Sequence, residues 1–403
     1  MTSYHGYYPR KENFPLRRGA ADFSDEESLL ALINLVGDAE LPPVDVNAHE
    51  PFVGVTTDGQ PVSQLELSSG LFDATPAATA AQDYLRSLHP TERVKASLPF
   101  DAPEWRMWSN AFLTFPEHGL LLQELTNECL GAALEVIKAT LSPEGFVQLR
   151  AAMKLNAELG QYVGRYEDTL TEWCYWFTVF GDPAHSTKPW GWQLAGHHVD
   201  LHAAMINGHL VMTPAFLGCE FRAESLFDKH RRNALMFMNS LTPREQGKAQ
   251  LYGSMLADDL PHALAGIVDG RHRAGAGRDN LVLPYEGLRG DDLSAGQREL
   301  LTGLVDVYLD GLPHGPVRES RRQAIEKHVD ETYVAWIGQC DDDSPFYYRV
   351  HSPVILIEYD NHAGIFLDND NPEPFHVHTI VRTPNGGDYG KNLLRAHYEH
   401  FHN

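Results

Sequence analysis

Basic residues are scarce in this chain. Lys and Arg number 32 against 55 Asp and Glu over 403 residues, a formal net charge of −23. Such a field repels phosphate backbones and anionic lipid surfaces, so neither nucleic acid nor a membrane surface is expected as a partner. Long apolar runs are missing too. No stretch reaches the roughly 18–20 uninterrupted apolar residues of a spanning helix, and the opening MTSYHGYYPRKENFP has no apolar run behind its basic residues. A cytoplasmic protein is expected. The only four cysteines, Cys129, Cys174, Cys219 and Cys340, lie far apart without a CxxC pair, which argues against a disulfide framework and a Cys-rich zinc site. Cys219, the one nearest the histidines in sequence, lacks a placed base. GxSxG, GxxxxGK[ST] and a strand-following GxGxxG are absent as well, which removes the signatures of α/β-hydrolases, P-loop proteins and dinucleotide-binding folds. GAGRDN at 275–280 sits among Arg and Gly and reads as a flexible connection.

What is present is a large apolar fraction, 43%, enough to bury a substantial core in one large domain or two ordinary ones. Helical signals dominate from Asp25 to about Met255, and a recurring phrase marks helix starts: SLHPTERVKASL, TLSPEGFVQLRAAM, SLTPREQGKAQL and DLSAGQRELLTGLV. Thr242 with Glu245 and Ser294 with Gln297 fit the capping box, while Pro90, Pro143 and Pro243 suit the first helical position, where a missing N–H costs nothing. Two blocks read as strands. The first, near 173–221, holds WCYWFTVFG and a hairpin over 194–216 turning at Asn207-Gly208; the second, near 345–382, holds FYYRV, SPVILIEYD and FHVHTIVR. The expected fold is α+β, a central antiparallel or mixed sheet flanked by capped helices. Residues 1–80 read as an N-terminal extension with helices, and 81–403 as a single domain.

The chemistry concentrates in GHHVDLH, residues 196–202. Side chains two apart share a strand face, so one strand through this stretch would point His198, Asp200 and His202 one way and His197 the other. The same rule pairs His376 with His378 and Glu358 with Asp360. Imidazoles and carboxylates are the ligand set of zinc and non-haem iron. The competing reading is a hydrogen-bonded polar strand, since 21 histidines include several, as in the closing HYEHFHN, that simply decorate a tail. Convergence decides between them: ligands must meet at one point, and local hydrogen bonds need not. Trp190 and Trp192, two apart, either wall a pocket or pack in the core.

FTVFGDPAHSTKPWGWQLAGHHVDLHAAMINGHLVMTPAFLG, with YYRVHSPVILIEYDN, FHVHTIV and DYGKNLLRAHYEH, resembles the domain of unknown function 3500 family over about residues 80 to 400. The resemblance places His197, His198, Glu358, Asp360, Asn361, His376 and His378 at matching positions. Asp200 and His202 depart from the family pattern. The family name implies no activity.

The expected function is therefore a metal-dependent enzyme, hydrolytic or lyase-type, acting on a small organic molecule. His198, His376 and His378 would hold a divalent ion, and Glu358 would be a fourth ligand or, with Asp360, the catalytic carboxylate acting through an activated water. His197, Asp200, His202, Trp190, Trp192 and Asn361 are further ligand or substrate-contacting candidates. A non-haem iron oxygenase built on the same residues is the alternative, and a non-catalytic small-ligand-binding protein a third reading. Zinc and iron are not separable at this level. A homodimer is slightly favoured.

Overall fold

Proline and hydroxyl caps start the helices where the sequence places them. The computed structural model describes residues 48–401 apart from 63–70, 113–115, 117, 165, 167–168, 186, 267–269 and 368. Among the described residues there are nine α-helices: α1 (Thr75–Ser87), α2 (Pro90–Ala96), α3 (Asn127–Thr140), α4 (Pro143–Val163), α5 (Glu224–Ser240), α6 (Pro243–Ala249), α7 (Ala295–Asp306), α8 (Pro316–Lys327) and α9 (Lys391–Phe401). Thr242 and Glu245 close a capping box on α6, and Ser294 and Gln297 close one on α7. Each cap contributes about 1 kcal/mol. Gly164, in the left-handed region at φ 69°, stops α4.

The strands are β1 (Ser97–Leu98), β2 (Leu120–Leu121), β3 (Trp176–Gly181), β4 (Trp190–Gly196), β5 (Val199–Ile206), β6 (His209–Val211), β7 (Ala215–Cys219), β8 (Gln250–Tyr252), β9 (Leu288–Arg289), β10 (Tyr333–Gly338), β11 (Phe346–His351), β12 (Leu356–Asn361) and β13 (Val377–Arg382). They form one sheet in the order β1-β3-β4-β5-β7-β13-β12-β11-β10-β8, with β2, β6 and β9 pairing at its margins. Only β1–β3 and β10–β8 are parallel. The architecture is α+β, and the two strand blocks lie side by side through the β7–β13 pair.

The hairpin turn at Asn207-Gly208 is as expected: both residues have positive φ, 48° and 75°, the requirement of a tight two-residue turn. The strand before it needs correction. Residues 194–206 are not one strand but the end of β4 and all of β5, joined by a second two-residue turn at His197-His198 and closed by the Gly196–Val199 pair. His198 sits at φ 107°. Neither turn residue is Gly, Asn or Asp, so the alternation runs through the turn without a visible break. His198 therefore does not share a strand face with Asp200 and His202.

The sheet has two unlike faces. On one, Trp190, Trp192, Leu194, Val199, Leu201, Val350, Ile357 and Val377 join the main apolar core with Ala133, Met153, Phe237 and Leu304 of α3, α4, α5 and α7. Trp190 and Trp192 thus belong to the core, where Trp192 Nε1 donates to Thr140 Oγ1 at 3.0 Å. On the other face Gln193, Asp200, His202, Arg349, Glu358, Asp360, His378 and Arg382 are all buried. Loops cover it. The segment expected to be a flexible connection is bound there: Arg382 donates to Ala274 O and Gly275 O, both at 2.7 Å, and pairs with Asp279 at 2.7 Å and Asp388 at 3.0 Å. Arg106 reaches the same Asp279 at 2.8 Å.

Of the extension expected over residues 1–80, residues 1–47 and 63–70 lie outside the described residues. Thr56 bonds across to Leu281 and Leu283 through its backbone, and α1 runs through residue 80.

Candidate metal centre

Three histidines from distant parts of the chain meet on the loop-covered face. His378 lies on β13, His376 just before it, and His198 in the β4–β5 turn. His376 Nε2 is 3.0 Å from His378 Nε2, which is 3.2 Å from His198 Nε2, across 180 residues of sequence. One ligand atom from each falls within 4.8 Å of the others, a group that can hold a metal ion. Nitrogens at about 2.0–2.1 Å from one ion stand roughly 3.0–3.4 Å apart in octahedral or tetrahedral arrangements. The donor set and spacing both fit. The side chains are 3%, 0% and 5% exposed for His198, His376 and His378.

Burial, followed by the neighbouring imidazoles, holds all three histidines well below their ordinary pKa. They are neutral at pH 7 and offer lone pairs, the state a metal requires. Backbone features bring the rings together. Gly218 of β7 lies opposite His378, and a Cβ there would come 2.9 Å from His378 Cδ2 and 3.2 Å from His198 Cδ2. Its amide donates to His198 O at 2.8 Å and so holds the turn. Asn361 sets the other side. Its Nδ2 donates to His376 O at 3.4 Å, while its Oδ1 accepts from Phe346 N at 3.0 Å.

The family comparison matches residues 73–391 to the protein of unknown function family DUF3500. The chain belongs to this family. No curated protein and no solved structure matches it. All three histidines, Gly218 and Asn361 fall inside the region shared with the DUF3500 family. No helix among the described residues is long and apolar enough to cross a membrane.

The remaining candidates occupy other posts in this DUF3500 member. Glu358 is outside the three-histidine group: its carboxylate accepts from Arg273 N at 3.0 Å, Ala274 N at 2.8 Å and the Tyr347 hydroxyl at 2.6 Å. That commits it to fastening the 270–280 loop to the sheet. Asp360 pairs in register with His378 and accepts from Arg271 N at 3.2 Å. His197 turns away from the three nitrogens, bonding Asn156 Oδ1 through Nδ1 at 2.8 Å, yet its ring stacks on His198 with centroids 3.8 Å apart. His202 is held by Pro214 O at 2.8 Å and Gln193 at 2.9 Å, which in turn binds His118 at 2.7 Å. It belongs to a separate polar chain. Asp200 is fully buried, and burial raises its pKa well above the ordinary carboxyl range.

One neighbour went unread in the sequence. The His362 ring lies 4.6 Å from that of His378 and 4.9 Å from that of His376, centroid to centroid. Its Nδ1 lies 2.9 Å from Ala363 O; the N–H tautomer that donates there leaves the lone pair on Nε2. The signal was available: 358, 360 and 362 continue one alternation along β12 and past its end. His272, 6.2 Å from His378 by ring centroid, had no comparable pattern to mark it.

Proposed function

We propose that this protein is a metal-dependent enzyme of hydrolytic or lyase type, with His198, His376 and His378 as the protein ligands of one divalent ion. The observation that carries the reading is the convergence of three neutral imidazole nitrogens from segments 180 residues apart. Local hydrogen bonding gives such residues no reason to meet.

Three histidines with a free position are a zinc-type catalytic set, whereas iron oxygenases of the facial-triad kind use two histidines and a carboxylate. With Glu358 committed to the loop, zinc chemistry is the better-supported alternative. An ion bound there supplies a polarising charge and an acidified water at neutral pH. The chain's own contribution follows from its geometry. Asp360, in register with His378, and His362, whose ring lies beside those of His376 and His378, would take and return a proton. His197 and Asn361 fix the orientation of His198 and His376, as residues behind metal ligands commonly do. Burial of the cluster restricts the substrate to a small molecule.

The test is metal content. Tag-free protein is expected to contain about one equivalent of zinc per chain, and His378→Ala is expected to lose it while keeping its circular dichroism and cooperative unfolding. Iron in place of zinc would move the reading to oxygen chemistry. Protein that carries no metal and takes up none on dialysis against zinc would leave a polar strand network and a non-catalytic role.

A further inference from the structure

The face of the sheet opposite the histidines holds a cavity of about 230 Å³. The two sites are separated by a single strand layer: His378 points to the metal centre, and its neighbour Thr379 to the cavity. The walls are apolar, with Leu201, Leu217, Val381 and Ile355 from the sheet and Leu309 and Val317 from the helical layer. Polar side chains also reach this lining, among them Thr213, Thr379 and Thr383, and two cationic or basic groups stand out.

The first is Arg321 on α8. Its Nη2 donates to Val354 O at 2.8 Å and Thr383 Oγ1 at 3.0 Å, both neutral acceptors. Among the described residues it has no carboxylate partner, unlike its helix neighbours Arg318 and Arg322, which pair with Asp310 and Asp306. Burial in this apolar lining lowers its pKa to about 10, and Asp388, the acid that opposes the shift, is already engaged by Arg382 and the Thr383 amide. A half-buried guanidinium with only neutral partners is an anion receptor in waiting. The second is His230 on α5, which lines the same cavity at 5% exposure and whose Nδ1 has no hydrogen-bond partner among the described residues.

We propose that this cavity binds a small monocarboxylate with an apolar body, its carboxylate on Arg321 and its chain or ring among the leucines and valines. A dry cavity of about 150 Å³ accommodates benzene, so the volume here suits a ligand of about ten non-hydrogen atoms. Octanoate has that size and chemistry. The site is independent of the metal centre, and its ligand need not be the enzyme's substrate.

Calorimetric titration of the full-length protein with octanoate, and with 1-octanol as the uncharged counterpart, tests the assignment. Saturable binding of one octanoate per chain is expected, with a rise in the unfolding temperature. Arg321→Met is expected to weaken octanoate by about tenfold or more and to leave 1-octanol unchanged. Ala324→Trp, which projects bulk from α8 into the cavity, is expected to weaken both. No saturable octanoate binding at millimolar concentration overturns the proposal, as does Arg321→Met binding octanoate like the unmodified protein. If Arg321→Met does not fold, Ala324→Trp decides: octanoate binding undiminished in that variant also overturns it.

Discussion

The two faces of this sheet are closed by different physics. The helical face is sealed by interchangeable apolar side chains on capped, periodic helices, and burial without direction holds it together. The loop face is sealed by charges, imidazoles and backbone amides, each requiring a particular partner. Its closures are the Arg106–Asp279–Arg382–Asp388 chain and the Glu358 clamp. Adjacent residues along one strand therefore obey different rules, and substitutions at neighbouring positions should differ sharply.

Ile357 and Glu358 make the most demanding pair. Ile357 sits in the apolar core, and Glu358 accepts two loop amides and a tyrosine hydroxyl on the other face. Ile357→Val should cost about 1 kcal/mol. Glu358→Ala strands three donors, two of them buried and the Arg273 amide part-buried, and should cost about 3–5 kcal/mol. Chemical denaturation of both variants checks this. Equal costs would show that the loop face is held no more specifically than the core.

The same division explains what was legible in the sequence. Capping boxes, N1 prolines and the Asn207-Gly208 turn are local signals, and each produced its element. The period-2 rule paired His376 with His378 and Glu358 with Asp360, and the sheet register sets Asp360 opposite His378. The rule failed at His197-His198, because a turn without Gly or Asn looks like continued alternation. His198 reached the site from the turn, by a route other than the one expected. A carboxylate beside histidines invites a ligand role for Glu358, and only the return of the 270–280 loop shows the amides it accepts from. Gly218 was invisible: its contribution is the absence of a Cβ between two rings from distant segments.

Acid should expose the buried histidines. Burial lowers His202, His230 and His351 to a pKa of about 3. A histidine depressed in the folded state binds its proton mainly when unfolded. Its contribution is complete above the unfolded pKa of about 6.5 and is lost as pH falls through it, by about 1.4 kcal/mol per pH unit for each histidine. Stability should thus drop steeply between pH 6.5 and 5, and His351→Gln should make that slope shallower. Denaturation midpoints that stay flat across this range would contradict the neutral assignment.

Gly218→Ala sharpens the comparison at the candidate metal centre. The added methyl must displace the His378 or His198 ring, since the approach of 2.9 Å is too close to keep. Zinc affinity, measured by chelator competition, should fall about tenfold or more, the scale on which disturbed ligand orientation acts. The apolar core on the other face is untouched, so the protein should still unfold cooperatively. Unchanged zinc affinity would mean that the two rings need not meet to bind metal.

The smallest effect is expected at the most regular feature of the helical face. Ser294 accepts from Gln297 N, while the Gln297 side chain accepts from Ser294 N at 2.8 Å and donates to Ser240 O at 3.1 Å. Ser294→Ala removes only the hydroxyl acceptor and leaves the Gln297 contacts standing, so the loss should be about 1 kcal/mol. Neither metal binding nor the acid slope should move, because Ser294 bonds none of the histidines among the described residues, and the acid in contact with Gln297, Glu245, is held below the ordinary carboxyl range by the Thr242 amide. A reduced zinc content in this variant would show that the two faces are coupled through the sheet, and the separation drawn between them would then have to be given up.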